Sequence, residues 1–523
     1  MMAADGLDAE RVIEYFKGKS ILITGATGFL GKILVEKILR VQPDVKKIYL
    51  LVRAIDEESA KQRVQAEVTD TDLFCLVKER HGKGFDEFID EKVVALAGDI
   101  IYEDLGLHPS VLRDLADDLD VIVNGAATTN FYGRYDVSLD VNVMGVKHLC
   151  QLAKKCPRLK VFLHVSTAYA GGDREGLIQE RPFEEGTALR EGMHLDIDAE
   201  LRLVADLRRD LAGDDKAQRK AMKELGLTRA RHFGWSNTYV FTKAMGEMLL
   251  GRMLLTAQSS MGLVVVRPSI ITSIRRDPLP GWMQGTRTID TLIIGYAKQN
   301  LPCFLGDLDL VMDVIPGDMV VNAMLTATAA HSGESSSPAP AVYHVSSSLR
   351  NPAAYSVLYE AGRRHFTEKP RLGKGGEVIP TKEMHFFKTI ASFQVYMLIK
   401  YRLPLEILHL VNILLCGLFS RLYSDLARQY RYVMHLVDVY GPFAFFKGCF
   451  DDINLERLRQ KMGRSKNPEN DDMFNFDPKT IDWDDYFYSI HIPGVLKSDA
   501  YWPRTTHPYS VLRWNKVDLS HQT

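Results

Sequence analysis

The chain has 523 residues, enough for two or three domains, and its composition excludes several classes of protein. Hydrophobic residues make up 46% and charged residues 25%, which is typical of a globular protein and excludes a disordered chain or a polytopic membrane protein. The formal net charge is −2, so no basic excess favours nucleic acid as a partner.

The cysteines and the first residues both indicate a cytosolic protein. The six cysteines are scattered without a CxxC pair, which is typical of a reducing compartment and excludes the common zinc-ribbon spacings, so we expect no metal site. Residues 1–16 contain four acidic side chains and no apolar core. We therefore expect neither a secretory signal nor a plastid or other organelle presequence.

From Ser20 onward, short apolar segments alternate with segments of helical periodicity. The predicted strands are 20–24, 47–52, 93–96, 121–124, 161–165 and 263–267. This alternation predicts an α/β fold, a Rossmann-type doubly wound parallel sheet with helices on both faces.

Two segments interrupt the alternation, and it fades in the last third of the chain. Residues 196–227 are charge-rich with helical periodicity, which predicts a solvated helical insertion. The Ser/Pro/Gly cluster at 332–341 is typical of a flexible loop or linker. Beyond Asn351 the sequence is rich in Phe and Tyr. We expect a dinucleotide-binding domain over 1–350 and a mainly helical C-terminal domain over 351–523.

The most apolar segment, 384–419, could face either the protein interior or a membrane. Charged and polar residues interrupt it, and Pro404 is expected to break a helix. Its cleanest part, 403–419, is at the short edge of a membrane span and contains Glu406. The remaining alternatives are a buried core helix or substrate wall, and an interfacial helix that associates peripherally with a membrane.

A glycine-rich turn follows the first predicted strand and opens a helix. Gly25 would permit the tight turn, Gly28 would let the backbone approach a pyrophosphate, and Gly31 would let the helix pack against the strand. The pyrophosphate would rest on free N–H groups at the positive end of the helix. The predicted dinucleotide-binding residues of this turn are Thr24, Gly25, Thr27, Gly28, Phe29, Leu30 and Gly31.

The end of the second predicted strand distinguishes between dinucleotides. An NAD site usually carries an acidic residue there, which binds the ribose 2′-hydroxyl. This chain has Arg53 and no acidic residue before Asp56, so a guanidinium that can pair with a 2′-phosphate favours NADPH, the alternative being a plain surface arginine. The residues expected near the adenine and the ribose, after the third and fourth strands, are Asp99, Ile100, Gly125, Ala126 and Ala127.

A tyrosine and a lysine four residues apart indicate a proton-transfer site. Tyr239 and Lys243 would share one helix face, where the ammonium favours the phenolate and lowers a phenol pKa that is normally about 10. Chance alone yields such a spacing, and Tyr396 with Lys400 is a second example. Because Tyr239 begins a helix after the fifth strand and Tyr396 lies in the apolar segment, we select the first pair.

A hydroxyl at the tip of the fifth strand would complete the constellation. Ser166 and Thr167 are adjacent there, and because strand residues alternate faces we expect only one, Thr167, to reach the reacting carbonyl oxygen. The predicted catalytic residues are thus Thr167, Tyr239 and Lys243. The segment Arg267-Pro268-Ser269, at the end of the sixth strand, is expected to cover the nicotinamide, with Pro268 as the predicted cofactor-binding residue.

Together these residues resemble the extended short-chain dehydrogenase/reductase superfamily and, within it, the plant branch of the fatty acyl-CoA reductases. The motifs that carry the resemblance are TGATGFLGK (24–32), YLLVR (49–53), GDI (98–100), HVSTAYA (164–170), YxxxK from Tyr239, FNFDP from Phe474, IDWDDY from Ile481 and IPG from Ile492. The resemblance covers nearly the whole chain. It departs from compact members in the 72 residues between Thr167 and Tyr239, which the charged insertion explains.

The resemblance implies NADPH-dependent reduction of a long-chain fatty acyl-CoA to a primary alcohol through an aldehyde, in wax and lipid metabolism. It also implies a location on the cytoplasmic side of the endoplasmic reticulum membrane, with the region after Asn351 supplying an acyl tunnel. Two alternatives remain from the residues. One is a nucleotide-sugar epimerase or dehydratase, which shares the glycine turn and the YxxxK pair. The other is a non-catalytic dinucleotide-binding scaffold.

Overall fold

The structure is a computed structural model that describes residues 7–254, 261–286, 288–333, 339–372, 375–463, 467 and 470–501. Several predictions fall partly outside these ranges: the N-terminal segment at residues 1–6, the Ser/Pro/Gly cluster at residues 334–338, and the two predicted domains, the second of which extends to residue 523.

The described strands build one large sheet and several two-stranded ribbons. In chain order they are β1 (Ser20–Thr24), β2 (Lys47–Val52), β3 (Val93–Ala97), β4 (Val121–Asn124), β5 (Val161–Val165), β6 (Gly176–Ile178), β7 (Gly262–Pro268), β8 (Ile270–Thr272), β9 (Cys303–Leu305), β10 (Val311–Met312), β11 (Val314–Pro316), β12 (Ala341–Val345), β13 (Ala353–Ala354), β14 (His385–Phe387) and β15 (Gly448–Phe450). The large sheet has the order β12-β7-β5-β4-β1-β2-β3, and its neighbours are parallel.

Helices cover both faces of this sheet. The α-helices are α1 (Ala9–Tyr15), α2 (Phe29–Val41), α3 (Glu57–Val64), α4 (Cys75–His81), α5 (Phe85–Lys92), α6 (Pro109–Asp118), α7 (Tyr135–Leu139), α8 (Gly145–Ala153), α9 (Ile197–Asp210), α10 (Asp215–Phe233), α11 (Thr238–Leu254), α12 (Thr288–Ala297), α13 (Gly317–Ala330), α14 (Tyr355–Glu368), α15 (Ile390–Met397), α16 (Leu403–Leu414), α17 (Ser420–Ala444), α18 (Ile453–Lys461), α19 (Trp483–Asp485) and α20 (Ile492–Tyr501). The predicted fold class is confirmed.

The strand order places a crevice beside β1. The chain runs from β1 outward to β2 and β3 and then returns to the other side of β1 with β4. In open parallel sheets, ligands bind at such a reversal, outside the carboxyl ends of the strands. The six predicted strands are all present, although β3 and β7 are slightly longer than predicted. A seventh, β12, pairs with β7 and was not predicted.

The charge-rich segment at 196–227 is helical, as predicted, and forms α9 and most of α10. It is held to the body of the protein by a small buried polar cluster. Glu200 is buried, pairs with Arg229 and accepts a hydrogen bond of 2.9 Å from the Tyr135 hydroxyl. Most other side chains of the two helices face solvent. This insertion lengthens the chain between β5 and α11 without entering the crevice.

The C-terminal aromatic motifs pack against the sheet domain. The Tyr486 hydroxyl donates to Thr272 Oγ1 at 2.8 Å, and Trp483 Nε1 donates to the Asn351 carbonyl oxygen at 2.8 Å. Both rings are buried in the same apolar cluster as the first strands of the sheet. The final described segment therefore completes a core that the N-terminal part begins.

The apolar segment does not break at Pro404, and that prediction was wrong. A π-helical turn, Leu398–Arg402, leads directly into α16, where Pro404 occupies the first turn. Pro404 lacks a backbone N–H, and it lies two residues after the π-helical turn, where the spacing of the backbone hydrogen bonds changes.

The side chains of α16 lie at the surface, which excludes the alternative of a buried core helix. None of its residues is buried, and Leu414 is 79% exposed. Exposed leucines and isoleucines extend from α15 through α16 into the start of α17. Within the described ranges, no helix has the length and hydropathy needed to cross a membrane.

Candidate active site

A cleft opens at the carboxyl ends of β5 and β7 and reaches the glycine-rich turn after β1. Its walls include Thr27 and Gly28 from the turn, Thr167 from the end of β5, Tyr239 from α11 and Pro268 from the end of β7. The empty space between the walls is about 1720 Å³, including the open mouth. Residues far apart in sequence are thus brought to one cleft.

Close contacts with neighbouring backbone atoms leave no room for a side chain at two glycines of the turn. Gly25 has φ of 75°, and a Cβ atom there would lie 2.7 Å from the Gly125 carbonyl oxygen. A Cβ atom on Gly31 would clash with the Gly25 carbonyl oxygen. Gly28 precedes α2 and borders the cleft together with Thr27, so the positive end of this helix lies at the cleft. This cradle suits a pyrophosphate, whose binding by the turn stays a prediction.

Not every residue expected at the dinucleotide turns its side chain toward the cleft. The Phe29 ring stacks on Trp282 with centroids 5.6 Å apart, and Ile100 is buried against Gly145. Any contact of these two residues with a dinucleotide would therefore come from their backbone. Asp99 lies at the carboxyl end of β3, where its carboxylate accepts a local backbone hydrogen bond.

The end of β2, where NAD and NADPH sites are expected to differ, carries a positive charge. Arg53 directly follows β2 and is exposed, and its carbonyl oxygen accepts a hydrogen bond of 2.8 Å from Arg63 Nη1. Asp56, the first acidic residue after the strand, instead caps α3 by accepting from the Ser59 backbone N–H at 2.8 Å. Asp56, the only acidic residue between positions 53 and 56, therefore uses its carboxylate to cap α3.

Tyr239 and Lys243 lie on successive turns of α11, with different surroundings. Tyr239 is half-buried, lines the cleft and has its ring 6.0 Å from that of Phe131. Lys243 is buried beneath it, and its Nζ donates to the Val165 carbonyl oxygen at 2.7 Å. Burial lowers the pKa of Lys243 to about 8, although the nearby Glu247 carboxylate acts in the opposite direction. The pKa of Lys243 is thus much closer to neutral pH than that of a solvent-exposed lysine.

A chain of buried polar groups joins Lys243 to the glycine-rich turn. Lys243 Nζ lies 3.4 Å from His164 Nε2, and the other ring nitrogen of His164 lies 3.1 Å from Asn124 Nδ2. The Thr24 hydroxyl donates to Asn124 Oδ1 at 2.8 Å and accepts from the Ala126 N–H at 3.2 Å. Burial, together with nearby positive charge, lowers the pKa of His164 well below its usual value. A neutral imidazole has one acceptor nitrogen, so His164 accepts from the Asn124 amide or from the Lys243 ammonium, but not from both.

Both hydroxyls at the tip of β5 border the cleft, whereas only Thr167 was expected to face it. The alternation of strand faces ends at Val165, the last residue of β5. The chain then turns into a short 3₁₀ helix, and the Tyr169 N–H of this helix donates to the Thr167 hydroxyl. The two hydroxyls nevertheless differ. The Ser166 hydroxyl donates to the Glu247 carboxylate. Among the described residues, Thr167 makes only long contacts, of 3.4 Å with the Tyr169 N–H and 3.5 Å with the Pro268 carbonyl oxygen.

A buried ion pair lies behind the catalytic strand ends. Arg267 Nη2 is 2.6 Å from Glu247 Oε2, and both side chains are almost fully buried. The guanidinium lies over the Phe183 ring, 4.6 Å from its centroid, and 3.3 Å from His344 Nε2. Burial and the nearby Arg267 lower the pKa of His344 to about 3, so this imidazole is neutral. The cluster fixes Ser166 and α11 relative to β7.

The second tyrosine–lysine pair shows that the contact alone is not diagnostic. Lys400 Nζ donates to the Tyr396 hydroxyl at 2.7 Å, but this pair lies on the exposed apolar segment and outside the residues that line the cleft. Its placement agrees with its interpretation as a chance match.

The sequence analysis did not predict the buried polar contacts of three residues of this site, although it named Arg267 beside the nicotinamide and His164 within a motif. His164, Glu247 and Arg267 support the cleft from behind. The available signals were a histidine within the apolar strand VFLHV and a glutamate one helical turn after Lys243. Burying a charged or imidazole side chain costs free energy unless it is hydrogen-bonded or paired. Such a residue among apolar neighbours in the sequence therefore indicates a buried polar contact.

The chain is similar to known proteins over most of its length. Two family models, both described as male sterility protein, match residues 23–324, as an NAD-binding domain, and residues 400–498. Fatty acyl-CoA reductase 1 of Arabidopsis thaliana is 45% identical over 92% of this chain and 98% of its own length. The alcohol-forming fatty acyl-CoA reductase of Simmondsia chinensis is 43% identical over 93% of this chain and 98% of its own.

Solved structures share the fold at low sequence identity. The terminal R domain of the myxalamid biosynthetic pathway superimposes with a TM-score of 0.54 at 18% identity, covering 94% of this chain and 96% of that domain. At this identity the likeness shows the fold alone.

Proposed function

The chain belongs to the fatty acyl-CoA reductase family, and from this premise we propose that it reduces long-chain fatty acyl-CoA to a primary alcohol through an aldehyde, with release of CoA, in lipid and wax metabolism. The observation that carries the proposal is the cleft itself. Thr167 and Tyr239 line the same cleft as Gly28, and Lys243 lies one helical turn below the phenol.

Thr167, Tyr239 and Lys243 have different roles in the reaction at the thioester carbonyl oxygen. When bound, a reduced nicotinamide dinucleotide supplies the hydride. Negative charge then develops on the thioester oxygen, where the Thr167 hydroxyl donates a hydrogen bond and Tyr239 gives up its proton. The Lys243 ammonium favours the phenolate that remains. The phenolate then takes the proton back as the carbon–oxygen double bond re-forms, the carbon–sulfur bond breaks and CoA leaves as the thiolate. A second hydride and a second proton convert the aldehyde to the alcohol.

We propose NADPH as the dinucleotide that is consumed. Arg53 is exposed at the end of β2, while Asp56 is engaged in capping α3. A guanidinium here pairs with a 2′-phosphate, and a carboxylate bound to a ribose 2′-hydroxyl would be expected for NAD. Replacing Arg53 by Ala should weaken NADPH binding and leave NADH binding unchanged, as measured by fluorescence titration. Arg202→Ala, on the exposed side of α9, is the control; equal losses for both dinucleotides would contradict the assignment.

The proposed reaction is tested by its products. The purified protein is incubated with NADPH and a panel of saturated and unsaturated acyl-CoA esters, and the lipids are identified by mass spectrometry. We expect primary alcohols with release of free CoA and two NADPH oxidised for each alcohol. Tightly retained NAD with no net oxidation would instead favour the epimerase or dehydratase. Binding without any turnover would indicate a scaffold.

We also propose that the exposed apolar surface formed by 390–426 binds a lipid bilayer peripherally. Residues 388–431 contain six Lys and Arg residues but two acidic residues, so the apolar surface carries net positive charge. Exposed leucine and isoleucine side chains with a basic fringe are the composition of interfacial segments that bind anionic lipid surfaces. A surface for a second protein would not require this excess of positive charge.

The membrane we propose is the cytoplasmic face of the endoplasmic reticulum. An acyl-CoA is amphipathic, and its alcohol product is apolar, so a bilayer beside the cleft is a suitable reservoir for both. A fluorescently tagged full chain should follow an endoplasmic reticulum marker, and the protein should leave the membrane fraction on carbonate extraction, as a peripheral protein does. A diffuse cytosolic signal would contradict this location.

A further inference from the structure

The C-terminal motifs contact a loop that lies behind the glycine-rich turn. Tyr486 and His491 belong to a π-helical turn, Tyr486–His491, which leads directly into α20. Both side chains are buried, and neither lines the catalytic cleft. Any effect of these residues on the reaction must therefore pass through other residues.

His491 is buried between two segments of the sheet domain. The Ser273 N–H donates to His491 Nδ1 at 3.5 Å, and the Ser273 hydroxyl lies 3.0 Å from the same nitrogen. Because a backbone N–H can only donate, Nδ1 is an acceptor and the ring proton lies on Nε2. Nε2 is 3.2 Å from Asp290 Oδ1 in the first turn of α12. All three residues are buried and none lines the cleft, so the imidazole connects segments and does not touch substrate.

Two glycines bring the backbone of the C-terminal segment into direct contact with the loop 274–282. A Cβ atom on Gly494 would clash with the Gly281 carbonyl oxygen, and one on Gly281 would lie 2.8 Å from the Ile490 carbonyl oxygen. Gly281 also has φ of 77°, a conformation that favours glycine. A side chain at either position would push the two segments apart.

The loop 274–282 is closed by its own backbone hydrogen bonds. The Gly281 N–H donates to the Ile274 carbonyl oxygen at 2.8 Å, and the Ile274 N–H donates to the Trp282 carbonyl oxygen at 3.0 Å. Ile274 directly follows Ser273, which contacts His491. Because the two ends of the loop are bonded to each other, a displacement at Ser273 or Gly281 is expected at Trp282 as well.

Trp282 connects this loop to the glycine-rich turn. Its ring stacks on that of Phe29, with centroids 5.6 Å apart and ring planes 22° apart. Phe29 is the first residue of α2 and directly follows Gly28, which borders the cleft. The free N–H groups at this helix end are the groups that bind a pyrophosphate. Their position therefore depends on where the Phe29 ring is held.

We propose that His491 and Gly494 are positioning residues for the dinucleotide. They hold the loop 274–282, and through the stack of Trp282 on Phe29 they fix the helix end against which the pyrophosphate lies. The C-terminal segment thus contributes to cofactor affinity without touching the cofactor. This inference rests on the proposed function in taking the dinucleotide to the turn at Gly28.

The test measures the Kd of the full chain for NADPH from the fluorescence of the nicotinamide, without acyl-CoA. His491→Gln keeps a polar group near Asp290 but removes the acceptor for Ser273, whereas His491→Asn keeps that acceptor and removes the group near Asp290. We expect the Kd of His491→Gln to rise by about tenfold or more, the effect of losing one hydrogen bond to a charged phosphate. His491→Asn should bind NADPH more tightly than His491→Gln.

Gly494→Ala should raise the Kd by a similar factor, because its Cβ atom displaces Gly281. Gly362→Ala is the matched control, since a Cβ atom there would lie 3.9 Å from Ile492 Cδ1, an ordinary contact, and Gly362 does not line the cleft. Urea unfolding of each variant identifies conditions in which the protein is folded, and the titrations are made there.

A purely structural role would lower the free energy of unfolding and leave the Kd of the folded protein unchanged, and that result would overturn the inference. Equal Kd values for His491→Gln and His491→Asn would also overturn it, because the contact with Ser273 would then have no effect.

If these variants fail to fold, the stack on Phe29 provides a second test. Trp282→Ala removes the stacked ring and should raise the Kd for NADPH, whereas Trp282→Phe retains an aromatic ring and should restore most of the affinity. An unchanged Kd in Trp282→Ala would overturn the inference.

The result does not depend on turnover. If the wild type binds NADPH but reduces no acyl-CoA, the proposed function is refuted, while the Kd values of the variants still decide whether the C-terminal segment positions the turn. A wild type that binds neither NADPH nor NADH would refute both.

Discussion

The polar region behind the cleft and the apolar surface at 390–426 depart from the usual distribution of side chains in opposite ways. Behind the cleft, Lys243, Glu247 and Arg267 are charged groups that are buried. On α16, leucine and isoleucine side chains are exposed to solvent, with Leu414 at 79%. Burying a charge costs free energy unless it is paired, and exposing an apolar face gives up burial that folding would otherwise gain.

The comparison shows how each region compensates for its departure. Each buried charge has a partner at hydrogen-bonding distance, as in the 2.6 Å contact between Arg267 and Glu247. The exposed leucines of α16 have no such compensation from the described residues, which is why we assign them a lipid partner. We therefore propose a catalytic role for the first region and membrane binding for the second.

The largest effect is expected from removal of one oxygen atom in the polar region. Tyr239→Phe keeps the ring in contact with Phe131 but removes the proton donor, and general acid catalysis typically contributes about 10²–10⁴-fold. The rate of NADPH oxidation with acyl-CoA should fall by about that factor, while NADPH binding is retained.

The second tyrosine–lysine pair supplies a matched control for this variant. Tyr396→Phe removes the same hydroxyl from the same spacing on the apolar surface, where it contacts Lys400 at 2.7 Å. Its turnover of a soluble substrate should equal that of the wild type. Similar losses in both variants would remove the distinction between the two regions.

The next largest effect concerns stability. Glu247→Gln leaves Arg267 buried without its counter-ion, and breaking a buried pair in this way typically costs about 3–5 kcal/mol. The free energy of unfolding in urea should fall by that amount. Asp206→Asn, which breaks the exposed 2.6 Å contact with Arg209, should change it by less than about 1 kcal/mol. Equal effects in the two variants would show that the buried pair is not specially stabilising.

On the apolar surface the expected effects are reversed, with stability preserved and membrane binding lost. Leu410 and Leu414 are 61% and 79% exposed, so replacing both by Glu should change the unfolding free energy by about 0.5 kcal/mol or less. Cosedimentation with phosphatidylcholine vesicles containing phosphatidylserine should nevertheless fall by about tenfold or more, since each buried leucine contributes about 1.5–3 kcal/mol.

The control for the membrane variant is Ile55→Glu, at a side chain that is 95% exposed outside the apolar surface. It should sediment with vesicles as the wild type does. A wild type that ignores vesicles but dimerises without lipid, through the same leucines, would assign the surface to a second copy of the chain.

The smallest effect is a pH dependence. Because burial lowers the pKa of Lys243 from about 10.5 to about 8, the ammonium is complete below that pH and is lost as the pH rises through it. We expect kcat/KM to be halved near pH 8 and to fall further above it. In Lys243→Arg the cation does not deprotonate, so this alkaline limb should disappear from a slower enzyme. An unchanged limb would assign the titration to another group.

Local patterns in the sequence were enough to predict most of the fold. The alternation of short apolar runs identified six of the seven strands of the large sheet, and the glycine turn was identified because the φ of Gly25 is a local property. The strand β12 was missed because it follows the Ser/Pro/Gly cluster, which was interpreted as a linker. Its place beside β7 depends on a contact between distant segments.

The residues of the candidate site also fall into two groups, those that a local pattern predicts and those that depend on contacts between distant segments. The spacing of Tyr239 and Lys243 is a property of one helix, so it could be predicted. His164 reaches Lys243 across 79 residues of sequence, and Glu247 reaches Ser166 across 81, so both depend on which strand lies beside α11. The exposure of α16 was equally inaccessible, because hydropathy measures a segment's own composition and not what covers it.

The central claim is that the hydroxyls of Thr167 and Tyr239 meet at one reacting oxygen beside the bound dinucleotide. The most direct test is an experimental structure of the full chain with NADP⁺ and a long-chain alcohol. We predict the pyrophosphate against the turn at Gly28 and the alcohol oxygen within about 2.6–3.2 Å of both hydroxyls. A dinucleotide bound elsewhere, or an alcohol oxygen beyond reach of either hydroxyl, would contradict the account.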